Sequence, residues 1–144
     1  GLRPIQKYAV TCGGGRNHRY NLSDAAMLKD NHIDAYGSIT EAITALRKKA
    51  GHMLSIEVEV RNFEELQEAL DAGANIIMLD NMDIETMRRA VELIDGQAKV
   101  EASGNMTAER LAAVAAVGVD YISIGALTHS VRAFDISMKI KPIQ

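Results

Sequence analysis

Four glycines, Gly51, Gly73, Gly96 and Gly118, recur at intervals of 22, 23 and 22 residues, and this period constrains the fold more than any other feature of the sequence. Each stands where a helix should stop, because glycine adopts the left-handed conformation that closes a helix at little cost. Oxygen-bearing residues stand where the helices should start: Ser38 with Glu41 three positions on, Asn62 with Glu65, then Asp83 and Thr107. Such side chains accept the first free N–H groups of a helix, and the two glutamates have capping-box spacing. Leu66, Ala69 and Leu70, and likewise Leu111, Val114 and Ala115, fall at helical spacing and should face a sheet.

Between the helices lie short apolar segments rich in β-branched residues, at 54–60, 75–79, 98–102 and 120–124, with a weaker candidate at 25–28. Two of them lack clean alternation, the pattern of strands covered by helices. The chain thus repeats strand, loop and helix with almost no insertion, which is an α/β fold. Consecutive parallel units with right-handed crossovers either close into a barrel or lie in an open doubly wound sheet. The placement of polar residues favours the barrel.

In a β/α barrel the reacting groups come from the C-terminal ends of several strands. Lys29 and Asp30 follow the first candidate strand, Glu57 and Glu59 lie in the second, Asp80 and Asn81 end the third, Ser103 and Gly104 the fourth and Gly125 the fifth. The steps from Glu59 to Asp80, Ser103 and Gly125 are 21, 23 and 22 residues, so these positions should line one mouth. Ordinary turn and cap chemistry would also put polar residues after strands. The two glutamates resist that explanation, since an unpaired buried carboxylate is costly or titrates to neutral. Strand alternation puts them on one side and Ile56, Val58 and Val60 on the other, so Glu59 should reach the mouth.

Residues 12–19 run from Cys12 through three glycines to Arg16, Asn17, His18 and Arg19. Free N–H groups of a glycine run and guanidinium forks suit carboxylate or phosphate, and the Lys-Ser/Thr ending of a Walker loop is absent. A flexible, solvated basic loop would read the same way. Ser103-Gly104 and the stretch from Gly125 to Ser130 resemble the phosphate site that barrels build from their last two strand-to-helix loops, where His129 could donate a hydrogen bond. A lone surface histidine is the plainer reading of His129. Arg47, Lys48 and Lys49 sit at a helix C-terminus, where the dipole accounts for them.

The chain has 144 residues, 47% of them hydrophobic and 24% charged, enough for one domain with a real core. No apolar stretch approaches the roughly 20 residues needed to cross a bilayer. A net charge of −3 argues against a nucleic-acid partner held by a broad basic face. The single Cys12 excludes an internal disulfide or a thiolate zinc cluster, is expected to be a small buried residue, and fits a reducing cytoplasm.

Eight stretches in order carry a family resemblance: residues 1–4, Lys7-Tyr8-Ala9-Val10, residues 13–19, residues 28–32, Glu57-Val58-Glu59, residues 78–81, Glu101-Ala102-Ser103-Gly104 and residues 123–129. Together they resemble quinolinate phosphoribosyltransferase. The resemblance implies a β/α barrel-like C-terminal domain over 1–144 and a homodimeric parent. It also implies the synthesis of nicotinate mononucleotide from quinolinate and phosphoribosyl pyrophosphate, with loss of carbon dioxide and pyrophosphate, in NAD biosynthesis. By the same resemblance His18 and Arg19 bind quinolinate, and Lys29 lies between its carboxylate and the phosphoribosyl donor; Arg16, from the same basic run, is a further candidate substrate contact. Glu59 and Asp80 are implied at the ribose and at Mg²⁺, and Ser103, Gly104, Gly125 and His129 at phosphate. The family also implies an N-terminal sandwich domain and a first barrel strand with an Arg-Lys pair ahead of residue 1. The barrel is therefore expected to be incomplete and the chain by itself to show little turnover. A related aromatic-acid phosphoribosyltransferase and a non-catalytic phosphate-ligand-binding barrel are the alternatives; the latter would have no use for Glu59 and Asp80.

Overall fold

The computed structural model describes residues 1–141. Its elements in chain order are α1 (Arg3–Cys12), β1 (Ala26–Leu28), α2 (Asp30–Tyr36), α3 (Ile39–Lys49), β2 (Ile56–Val60), α4 (Phe63–Asp71), β3 (Ile76–Asp80), α5 (Ile84–Ile94), β4 (Lys99–Ser103), α6 (Ala108–Ala115), β5 (Tyr121–Ile122) and α7 (Ala126–His129). The strands form one all-parallel sheet in the order β1-β2-β3-β4-β5. A strand order that never reverses puts every right-handed crossover on the same face, whereas a doubly wound sheet reverses at a switch point. The choice left open by the repeat is thereby resolved towards barrel-type winding.

The helix starts follow the sequence reading closely. Ser38 Oγ accepts from Glu41 N at 3.1 Å, Asn62 Oδ1 from Glu65 N at 2.8 Å, and Asp83 Oδ1 from Thr86 N at 2.8 Å. Glu65 closes its side of the box one residue early, accepting from the backbone N of Arg61 at 2.7 Å. Thr107 precedes α6 but its side chain makes no capping bond. Gly73, Gly96 and Gly118 take φ of 75°, 72° and 98° beyond the helix ends. Gly51 does not follow this pattern: the chain leaves α3 at Ala50 in extended geometry, so no left-handed residue is needed.

Three helices lack a side-chain oxygen cap at their start. α1 starts after Leu2, which offers no cap oxygen, with Pro4 in its first turn, and it buries no residue. α2 starts after Lys29, whose backbone N donates to the ring of His32 at 3.0 Å instead of a hydroxyl or carboxylate cap. α7 spans only four residues. Because α1 packs nothing beneath it, Cys12 at its end is exposed rather than buried.

The two faces of the sheet have opposite character. Ile56, Val58, Val60, Ile77, Leu79, Val100 and Ala102 point to one side and meet Ile43, Leu66, Ala69, Met87, Ala90 and Val114 from the helices in a single buried cluster. Ala115 is exposed, and Val117 is the buried residue there. The pleat and register put Met27, Glu57, Glu59, Met78, Asp80, Glu101, Ser103, Tyr121 and Ser123 on the other face. After α7 the chain runs without regular structure, and Phe134, Ile136, Met138 and Ile140, at every second position, are each at least 80% exposed.

Candidate functional site at the polar face of the sheet

Residues 13–25 fold back over this polar face, and local bonds fix their path. Gly13 N, Gly14 N and Gly15 N donate to the carbonyls of Ala9, Thr11 and Val10 at the end of α1, at 3.1, 3.0 and 3.0 Å. The glycine run therefore terminates a helix and has spent the N–H groups that an anion nest would need. That corrects the expectation of free amides there. Asn17 Nδ2 donates to Lys7 O at 3.1 Å, and Lys7 Nζ donates to the carbonyl of Arg19. Asp24 Oδ2 accepts from Tyr20 N and Asn21 N at 2.8 and 3.1 Å, closing the turn that returns the chain to β1.

This path brings His18 onto the sheet. Its Nε2 lies 3.0 Å from Glu57 Oε2 and 3.5 Å from Glu101 Oε1, with the imidazole 33% exposed. Glu57 and Glu101 are 1% and 3% exposed, and Ser123 Oγ donates to Glu101 Oε1. The hydrogen bond to Glu57 holds the His18 pKa above its ordinary value, against burial, with further support from the charges of Glu57 and Glu101. Burial holds the Glu101 carboxyl above the usual carboxylate range.

The other predicted residues distribute as follows. Lys29 Nζ pairs with Glu59 Oε2 at 3.1 Å, joining the ends of β1 and β2. Asp80 ends β3 directly across from Ser103, the last residue of β4. Gly104 has φ of 86°, and a Cβ there would meet Asn81 Oδ1 at 2.2 Å and Asn81 N at 2.9 Å, so no other residue fits. Arg19 Nη1 donates to Ala25 O at 3.1 Å, while Arg16 is exposed and makes no hydrogen bond or ion pair among the described residues. Gly125 opens α7, whose His129 turns its ring back over Gly125 and meets Ser130 Oγ at 2.7 Å through Nδ1. The sheet thus gathers Lys29, Glu59, Asp80, Ser103 and Gly104 at one end of neighbouring strands, with His18 beneath them.

Two groupings were not foreseen. Glu101 and Ser123 join His18 and Glu57 beneath the mouth; the available signal was that Glu101 follows Glu57 by 44 residues, two full periods. Asn81, with φ of 53°, accepts from Asn105 Nδ2 at 2.9 Å and donates to Asp80 Oδ2 at 2.8 Å. Arg110 Nη2 donates to the carbonyl of Met82 and Nη1 to that of Gly104 at 3.4 Å, so the loops after β3 and β4 are tied together around Asp80.

Comparison with known proteins agrees with this layout. The family model for the quinolinate phosphoribosyl transferase C-terminal domain matches residues 1–139. A probable carboxylating nicotinate-nucleotide pyrophosphorylase of Bacillus subtilis (strain 168) is 53% identical over 140 residues, covering 97% of this chain and 48% of that protein. The crystal structure of NadC from Streptococcus pyogenes superposes with a TM-score of 0.91 at 48% identity, over 96% of this chain and 49% of that one. The nicotinate-nucleotide pyrophosphorylase of Francisella tularensis gives a TM-score of 0.89 at 45% identity, over 94% of this chain and 48% of that one. The chain spans about half the length of the curated relatives it matches. By sequence and by fold, a barrel-like α/β arrangement, it belongs to the quinolinate phosphoribosyltransferase C-terminal domain family.

Proposed function

We propose that this chain carries the binding face of a phosphoribosyltransferase that joins quinolinate to phosphoribosyl pyrophosphate. The pyridine nitrogen forms a bond to the anomeric carbon while pyrophosphate leaves. The 2-carboxylate then departs as carbon dioxide, its bonding electrons stay on the ring carbon, and a proton completes nicotinate mononucleotide. The observation that carries this reading is the meeting of both signs at one mouth: Lys29 beyond the end of β1, Glu59 and Asp80 at the ends of β2 and β3, and His18 beneath them between Glu57 and Glu101. A dicarboxylate needs the cations, and a sugar that gains positive charge as its bond breaks needs the carboxylates.

In this reading His18, Arg19 and Lys29 hold the diacid, with Arg16 free to swing inward. Lys29 is shared between Glu59 and the incoming carboxylate, which keeps it in place before substrate arrives. Ser103, Gly104, Gly125 and His129 receive the phosphate of the donor at the ends of β4 and β5. Glu59 and Asp80 fit a hard divalent cation. Asp80 Oδ1 has no partner among the described residues while Oδ2 takes the Asn81 amide. Magnesium commonly takes one or two protein carboxylates and fills the rest of its shell from phosphates and water. When bound, Mg²⁺ would neutralise charge on the departing pyrophosphate. A cytoplasmic setting and a homodimeric parent complete the reading. The lone cysteine supports the first and the exposed apolar stretch from Phe134 to Ile140 the second.

The test is thermal protection of this chain. Quinolinate should raise Tm more than nicotinate does, by the ligand-linkage relation, and Lys29→Ala should remove the difference. Stronger protection by nicotinate would overturn the quinolinate assignment in favour of a related aromatic-acid enzyme. In the longer parent, Glu59→Ala and Asp80→Ala should each abolish most turnover; near-normal rates would favour a binding module. Little turnover is expected from this chain alone, because the activity named for the relatives is that of proteins about twice as long.

A further inference from the structure

The reading above leaves two buried carboxylates without a task. Glu57 and Glu101, on the strands either side of β3, are almost completely buried on the polar face, and neither is among the groups assigned to diacid, sugar or phosphate. Buried carboxylates in an otherwise apolar setting are costly unless a cation or donor meets them. The cation that meets both is His18, whose Nε2 sits 3.0 Å from one and 3.5 Å from the other. Ser123 Oγ donates to the same Glu101 oxygen that His18 approaches, so that carboxyl is held in place from a third strand-end.

The position of one ring proton follows from this geometry. An ionised carboxylate only accepts, so Nε2 carries a proton directed into the protein. Nδ1 is then the nitrogen left for a ligand, and it makes no hydrogen bond among the described residues. In a neutral ring Nδ1 would be an acceptor and would repel an anion; in the imidazolium it donates. The charged groups facing the ring are Glu57 from β2, Glu101 from β4 and Arg19 from its own loop, and only Arg19 opposes the cation.

We propose that Glu57 and Glu101 are positioning residues that clamp His18 through Nε2 and so present Nδ1–H as a cationic donor to a carboxylate of an aromatic diacid. The identity of the diacid rests on the function proposed above; the clamp does not. The same three residues place ligand atoms within 4.8 Å of one another, as a metal site would. The Ser123 hydrogen bond occupies the Glu101 oxygen nearest His18, which favours the proton over an ion.

Nitrogen-15 spectra of the histidine rings in the full chain test this directly. Just above the ordinary histidine value of about 6.5, His18 should keep both ring nitrogens protonated, as its raised pKa requires. Glu57→Gln should lower the His18 midpoint and weaken quinolinate binding at that pH about tenfold, with binding restored at lower pH; Glu101→Gln should do the same to a smaller degree. A His18 midpoint at or below the ordinary value of about 6.5 in the unsubstituted chain, or a midpoint unmoved by Glu57→Gln, would overturn the clamp. So would stoichiometric Zn²⁺ uptake that shifts His18 and is lost in Glu57→Gln. If the imidazolium pattern and its loss in the variants are seen but quinolinate does not bind, the clamp stands and the quinolinate reading falls.

Discussion

Proton uptake at the polar face gives the clearest consequence at the scale of single residues. His18 and Glu101 both have pKa values raised above those of the unfolded chain, where the ordinary values are 6.5 and 4.5. A group raised in this way favours folding below its unfolded value, and that contribution is lost as pH rises through its folded value. At these two groups the folded chain holds more protons than the unfolded one, so they should make stability decline as pH rises above 4.5 for Glu101 and above 6.5 for His18. Urea denaturation across that range should show the decline, and Glu101→Gln should flatten its lower part; a slope unaffected by this change would mean that another group is responsible. The sequence already marked Glu57 and Glu59 as carboxylates in an apolar strand, which is why they were legible. Glu101 was not, because its partner His18 is 83 positions away and arrives only through the turn closed by Asp24. The glycines at 13–15 misled for a related reason: whether an N–H is free depends on the helix before it, and α1 lacks the cap that would have announced it.

Among the elements, the strand and helix units from β2 to β5 were readable because each carries its own start and stop. Asn62 illustrates how much of that is local physics. Its side chain satisfies Glu65 N, and Glu65 in turn holds Arg61 through its backbone N and through a guanidinium contact at 2.6 Å. Asn62→Ala should lower stability by about 1 kcal/mol, read as a drop in denaturation midpoint with an unchanged slope, whereas Thr107→Ala, which removes no capping bond, should lower it by much less. The unread helices α1, α2 and α7 share the opposite property. Their starts are Leu2, Lys29 and Gly125, none of which caps with a side-chain oxygen, and α2 and α7 are only seven and four residues long. β5 was read three residues too long because its continuation past Ile122 keeps the hydrogen bond from Ser123 N to Ala102 O without completing a ladder.

For the whole molecule, a sheet wound strictly in sequence order means that each strand and helix unit leans on the units just before and after it. β3 sits between two full neighbours, while β1 and β5 are paired on one side only. Hydrogen exchange should follow that order, with Ile77 and Leu79 amides protected longest and the β1 and β5 amides opening first; uniform protection across the five strands would show that the chain opens as one unit. The stretch after α7 bears on how such a molecule behaves in company. Residues 134–140 alternate apolar and polar side chains as a strand does, yet they pair with no strand of the sheet. At high concentration that stretch is a template for intermolecular β pairing, and the charges interleaved with it, Asp135, Lys139 and Lys141, are what keep its stickiness in check.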